Sequence, residues 1–400
     1  MRRRFGRATP YYALIQGLYW AIFCLMVGFA SAFLLDKGFS NGQIGMILGS
    51  SYLLSAILQP VIGSVFSSRG IPLNRGIACA YIPVAALSVM VATLPLGRAP
   101  LAVMMAVIFT IQSMMQPSVN ALHQCFETGG EQVNFGLARG VGSACYALSS
   151  FVMGRLLVKF SPSILPWTYG AAVAAMIVVL LFARTGQVRS AIGANRHGAT
   201  YADILKAHPH VALYLVGAGC MFLTYSFIDN FLLQILLSIG GTSANLGTAI
   251  TLSAMTELPA MVLFARFSRR GKGVRIFMIS VWFWLAKDLL TLLAPSPGTL
   301  YAVQLLNFFS CAVYVPGMMD YMRHVLPEDQ LLRGVTLAGT ATTLGSLIAT
   351  ILGGWLMDGV GVRAALAVVQ TFAVIGAVLL TLALRDALRR NAAQAGNRNM

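Results

Sequence analysis

Arg139, Asp229, Glu257, Lys287, Asp288 and Asp320 lie inside long apolar runs of the sequence. An ionisable group is costly there, so it faces a partner or a wet cavity and marks a route for a ligand or a proton. Tyr146 follows Arg139 by seven residues, about two helical turns, so the two side chains share a face. A guanidinium offers a fixed fork of donors suited to vicinal hydroxyls or a carboxylate. A ring beside it suits the apolar face of a sugar. The competing reading has Arg139 anchoring the end of a helix.

Glu257 sits mid-run, about twelve residues from either end and too deep to reach water by stretching. Pro259, two positions on, frees a backbone carbonyl, as in a broken helix. A carboxylate in that setting can take up and release a proton; the bland alternative is an ion pair with Lys287. Lys287 and Asp288 are adjacent and point about 100° apart on a helix, so only one of them faces a cavity. Asp229 is deep in its run and reads either as a salt bridge or as a functional group. Asp320 is near a run's end and reads as structural. Asn120, after Pro117, is placed at a helix irregularity, whereas Gln59 reads as a hydrogen bond between helices. Arg155 and Lys159 are close enough to an end to reach the interface.

These residues are positioned by runs of about twenty apolar residues, each long enough to cross a bilayer as a helix. Twelve such spans are predicted: 11–35, 43–66, 74–96, 100–125, 135–159 and 166–184, then 210–236, 245–267, 274–294, 299–323, 334–357 and 362–384. The 400-residue chain is 58% hydrophobic and 10% charged, outside the range of soluble proteins. Its net charge of +16 does not point to nucleic acid, because the basic residues flank the spans. Arg2–Arg4, Arg7, Arg69, Arg75, Arg184, Arg189, Arg196, Lys206, the run Arg266–Arg275, Arg323, Arg333 and the terminal arginines fall on one side, which the positive-inside rule makes cytoplasmic. Lys37, Arg98 and Arg363 fall on the other. Both termini are therefore expected inside, in a bacterial inner membrane.

The domain organisation expected is a six-helix bundle over 1–184, a cytoplasmic linker over 185–209, a second bundle over 210–386 and a polar, disordered tail over 387–400. The halves look related. Ser40 to Gly45 open the second span and Arg69-Gly70 follows it; Ser243 to Gly247 open the eighth and Arg270-Gly271 follows it. Such duplication is the organisation of many transporters, with the site at the bilayer midplane. The six cysteines are scattered singly, without metal or disulfide spacing. No phosphate-binding loop, HExxH or hydrolytic pairing is present, so neither an enzyme nor a cofactor or metal is expected.

The segment from Phe135 through Arg139, Gly142 and Tyr146 to Leu148 resembles the fifth helix of the lactose permease-like oligosaccharide–proton symporters of the major facilitator superfamily. Gln59-Pro60 with Gly63, Gly353-Gly354 with Asp358 and Gly361, and Glu257 are similar to patterns of that family. The resemblance implies an all-α integral membrane fold of twelve transmembrane helices in two six-helix bundles. It also implies that Arg139 and Tyr146 bind sugar and that Glu257 links sugar to proton. The sequence departs from the family where Asn120 replaces a fourth-helix glutamate and Asn307 and Ser310 stand at the tenth-helix proton relay. Further departures are Lys287 in place of an arginine, Ser226 in place of one seventh-helix aspartate (Asp229 matches the other) and Ser67 in place of the loop aspartate.

The expected function is alternating-access uptake of an oligosaccharide or disaccharide coupled to a proton. Arg139, Tyr146, Asn120, Glu257 and Asn307 contact substrate; Glu257, Asp229 and Lys287 handle the proton. The chain is expected to act as a monomer in the lipid bilayer, with no nucleic-acid partner. The rivals are a nucleoside, drug or metabolite transporter of the same fold, for which the methionines 104, 105, 114 and 115 offer an apolar interior, an uncoupled sugar facilitator, and a non-transporting membrane sensor or scaffold.

Overall fold

The structure is a computed structural model that describes residues 8–128, 132–183 and 201–398. Twelve helices are long and apolar enough to cross a bilayer. In order they are spans 1 to 6, Ala8–Asp36, Asn41–Phe66, Leu73–Thr93, Arg98–Glu127, Phe135–Phe160 and Pro162–Phe182, and spans 7 to 12, Pro209–Asn230, Ser243–Ser268, Gly273–Leu293, Pro297–Val325, Glu328–Val360 and Val362–Arg389. No strand occurs among the described residues. Helices are the form in which a chain in lipid satisfies its own backbone polar groups.

Every predicted span is present, and the differences are at breaks. Span 7 ends at Asn230, and a separate helix, Leu232–Ser238, takes up the rest of the predicted run. Span 1 contains a π-helical turn at Cys24–Gly28. Span 4 breaks at Met115, just ahead of Pro117, and not at Asn120, because a proline ring crowds the helical turn that precedes it. Span 8, in contrast, runs continuously through Pro259, so the predicted helix break there does not occur. The helix of span 12 continues to Arg398, where the sequence predicts a disordered tail. Lys206 lies in a short helix, Tyr201–Ala207; the rest of the expected linker up to residue 200, and Arg2–Arg4 and Arg7, lie outside the described residues.

The chain forms two compact units, one of Met1–Ala194 with Thr242–Ala254, the other of Asn195–Gly241 with Met255–Met400. In the first, span 1 packs on span 5, span 3 on span 6 and span 2 on span 4. In the second, span 7 packs on spans 11 and 12, and span 9 on span 12. Small residues let these backbones meet: a Cβ on Gly345 would lie 2.2 Å from the carbonyl oxygen of Gly219, and one on Gly376 would lie 2.8 Å from that of Gly217.

The same turn is built twice. After spans 1 and 7, Gly38 and Gly240 have φ of 78° and 79°; after spans 2 and 8, Gly70 and Gly271 have φ of 60° and 71°. Glycine adopts this left-handed conformation without a Cβ penalty. The caps repeat as well: the Ser40 amide donates to Gln43 Oε1 at 3.1 Å, and the Thr242 amide donates to Asn245 Oδ1 at 2.7 Å.

Candidate functional site

In the first unit, span 1 presents Tyr12, Gln16 and Trp20 at spacings of four, along one helical face. The Arg139 guanidinium from span 5 lies over the Trp20 ring, 3.8 Å from its centroid. Its Nη1 also donates to Ser143 Oγ at 2.8 Å, which fixes the fork from within its own helix. Tyr146 meets the same tryptophan edge-on, at 6.3 Å between centroids. The seven-residue spacing therefore brings Arg139 and Tyr146 to one ring, which span 1 supplies.

Gln16 ties Asn120 into this cluster. It is fully buried, accepts from Trp20 Nε1 at 3.0 Å, and donates to Asn120 Oδ1 at 3.2 Å and to Tyr12 Oη at 2.6 Å. Tyr12 in turn donates to the Asn120 carbonyl at 3.1 Å. Arg139, Trp20, Tyr146 and Asn120 are all only partly buried, so the cluster keeps an accessible surface. Gly142 makes the stack possible: a Cβ there would come within 2.6 Å of Trp20 Cδ1. Sequence reasoning missed Gln16 and Trp20. Their signal is the spacing of a glutamine and a tryptophan within an apolar helix, which carries no charge to draw notice.

The second unit holds the charges. Lys287 and Asp288 on span 9 are 5% and 2% exposed, and Asn307 on span 10 is 2% exposed. Lys287 Nζ donates to Asn307 Oδ1 at 3.3 Å. The ammonium thus bonds an amide of span 10, where the bland expectation gave it the Glu257 carboxylate. The Lys287 charge reaches both Asp229 and Asp288, and all three, with Glu257, act on the sulfur of Cys311. The predicted residues Asp229, Glu257, Lys287 and Asn307 therefore fall in one region. Asp229 keeps exposed side-chain surface although many protein atoms surround it in span 7, and it makes no salt bridge among the described residues. Asp288 Oδ2 is buried without a hydrogen-bond partner, and Gln370 from span 12 donates to the Asp288 backbone carbonyl.

This region coincides with an irregular stretch of span 10. The helix tightens to 3-10 geometry over Leu306–Phe309 and again over Cys311–Val313, with a break at Ser310 between them. Asn307 and Ser310 sit in that stretch. Nearby, Phe222, Tyr225, Trp284 and Tyr314 form an aromatic wall with centroids 4.7 to 5.9 Å apart.

Asp320 is structural in its contacts: Ser268 Oγ donates to it at 3.0 Å, and its other oxygen crowds Gly273 at the start of span 9. Gln59 is exposed, like the residues on either side of it in span 2, and does not bridge helices as expected. Met105, Met114 and Met115 are buried packing residues. Arg155 lies over the Phe151 ring and donates to its own helix.

A family model described as the Major Facilitator Superfamily matches residues 214–399. A maltose permease of Geobacillus stearothermophilus is 24% identical over 384 residues, covering 94% of each chain. An uncharacterized transporter, YwbF, of Bacillus subtilis is 21% identical over 88% of each. Among solved structures, a point mutant of the nucleoside transporter NupG superposes with a TM-score of 0.80 at 12% identity, over 94% of this chain and 99% of that one. A bacterial homologue of the human lysosomal transporter Spinster gives 0.67 at 14% identity, over 95% and 97%. At these identities the structures establish the fold. The fold is theirs, and the family match over the second half supports the major facilitator superfamily for this chain.

Proposed function

We propose that this protein is a secondary transporter that takes up a sugar, an oligosaccharide or disaccharide, together with a proton by alternating access. The observation that carries this reading is the Arg139–Trp20 stack with Tyr146 edge-on. A sugar ring offers an apolar face to an aromatic ring and vicinal hydroxyls to a guanidinium fork. Asn120 adds a neutral amide that suits hydroxyls, whereas Asn307, expected to contact substrate, is buried with its Oδ1 on Lys287. The similarity to a maltose permease over nearly the whole chain supports a carbohydrate substrate.

Glu257 is assigned the coupling proton, with Asp229 and Lys287 setting the field in which it is gained and lost. Protonated and deprotonated forms then favour different conformations, because a ligand shifts a conformational equilibrium only through its differential affinity for the two states. In this reading the protein works as a monomer in a bacterial inner membrane, with both termini inside.

A second reading, nucleoside transport, draws on the same geometry. A nucleobase also stacks on Trp20, and its ribose also presents hydroxyls to Arg139. Uptake of labelled mono- and disaccharides and of nucleosides into proteoliposomes separates the two. Saturable uptake of a disaccharide that excess nucleoside does not inhibit is the expected result. Nucleoside uptake with no sugar transport overturns the sugar reading and leaves the fold assignment intact.

A further inference from the structure

We propose that the second half of span 8, with the turn that follows it at Arg269-Arg270, is a binding site for an anionic phospholipid. Val262 and Leu263, with Phe308 from span 10, line an open groove of about 960 Å³. Arg266, Arg269 and Arg270 border the same groove at one end. Val262 is 70% exposed and Leu263 41% exposed on a membrane-spanning helix, where the natural neighbour of apolar surface is an acyl chain. The groove runs from residue 258 to residue 270. Its helical part, from residue 258 to Ser268, rises about 15 Å, and one leaflet of hydrocarbon is about 15 Å deep. The groove thus has the length of one leaflet and carries its charge where that leaflet's headgroups lie.

The charge selects the headgroup. All three arginines are exposed, and none forms an ion pair with a carboxylate among the described residues. Arg269 Nε donates to the Ala265 carbonyl at 3.3 Å, and the residue is exposed. Guanidinium forks bind phosphate oxygens in pairs, and basic clusters at a helix end attract anionic lipid. A zwitterionic headgroup brings its own cation into the cluster and gains little there. A soluble polar ligand gains nothing from the apolar wall.

The test is native mass spectrometry of the full-length protein in detergent, titrated with phosphatidylglycerol and with phosphatidylcholine of the same acyl chains. We expect phosphatidylglycerol to bind at least about tenfold more tightly. The triple variant Arg266→Gln/Arg269→Gln/Arg270→Gln should bring that preference to within about twofold. A charge-matched control, Lys272→Gln/Arg275→Gln/Arg323→Gln, at the same end of the protein, should keep it. Val262→Trp, which fills an exposed part of the groove and keeps every charge, should weaken binding of both lipids. Equal affinity for the two lipids in the wild type overturns the proposal. So does an equal loss in both triple variants, or displacement of phosphatidylglycerol by glycerol phosphate at comparable concentration, which would mark a soluble-anion site.

Discussion

The Arg139 guanidinium lies 3.8 Å from the Trp20 centroid, so the ring covers one of its flat faces and the N–H donors spread along the edge. A contact of this type contributes about 0.5 to 2 kcal/mol. Trp20→Ala should release the Arg139 fork and weaken substrate binding by about 2- to 30-fold if that positioning is lost in full, and Trp20→Phe should recover most of the loss. Equilibrium binding of the transported sugar to purified protein checks this; unchanged affinity in Trp20→Ala would remove Trp20 from the site. Lys287 belongs to a different kind of cluster, buried beside Asp288 with its ammonium on Asn307. No salt bridge joins the two side chains among the described residues, but the Lys287 charge reaches Asp288, so removing it leaves a buried carboxyl group less compensated. Lys287→Leu should lower the unfolding temperature in detergent clearly, and Lys287→Leu/Asp288→Leu should lower it less. A double variant worse than the single would show that the two charges do not compensate each other. Arg139, Asp229, Glu257 and Lys287 were legible in the sequence because a charge inside an apolar run stands out energetically. Gln16 and Trp20 were not, because an uncharged amphipathic side chain is inexpensive anywhere in a span.

At the scale of elements, the approach of span 5 to span 1 sets the stack, and the glycines of span 5 are not equivalent. A Cβ at Gly142 would meet Trp20 Cδ1 at 2.6 Å, whereas one at Gly136 meets nothing closer than Asn134 Oδ1 at 3.6 Å. Gly142→Ala should displace the indole and weaken binding about as much as Trp20→Ala does, while Gly136→Ala should leave binding unchanged. Intrinsic tryptophan fluorescence and binding on the two variants check the contrast; equal effects would contradict it. The helical spans themselves were legible to within a few residues, because about twenty apolar residues in a bilayer have few other folds. Their breaks were not. The sequence places an interruption of span 8 at Pro259, where the helix runs on, whereas span 10 tightens and breaks around Ser310, within two turns ahead of Pro316. A proline disturbs the turn that precedes it in spans 4 and 10 but leaves span 8 continuous, so its presence in the sequence does not by itself place a break. The tightened stretch carries Asn307, so a local distortion of the helix positions the partner of Lys287.

At the scale of the molecule, the repeat was legible and proved deeper than the two sequence fragments that suggested it. Matching glycines at positive φ and matching side-chain caps recur after spans 1 and 7 and around spans 2 and 8. The two units carry different chemistry on that shared frame: aromatic rings, an arginine and amides in the first, and buried or clustered charges in the second. The sequence located those residues but gave no contacts, and contacts are what separate a ring-binding cluster from a charge cluster. On the proposed mechanism the charge cluster couples transport to protons through Glu257. That coupling is tested by comparing wild type and Glu257→Gln in proteoliposomes, once as accumulation driven by an imposed inward proton gradient and once as exchange of sugar at equal concentrations. Wild type should do both, and Glu257→Gln should exchange sugar while failing to accumulate it. A Glu257→Gln variant that accumulates sugar as the wild type does would take the coupling proton off Glu257.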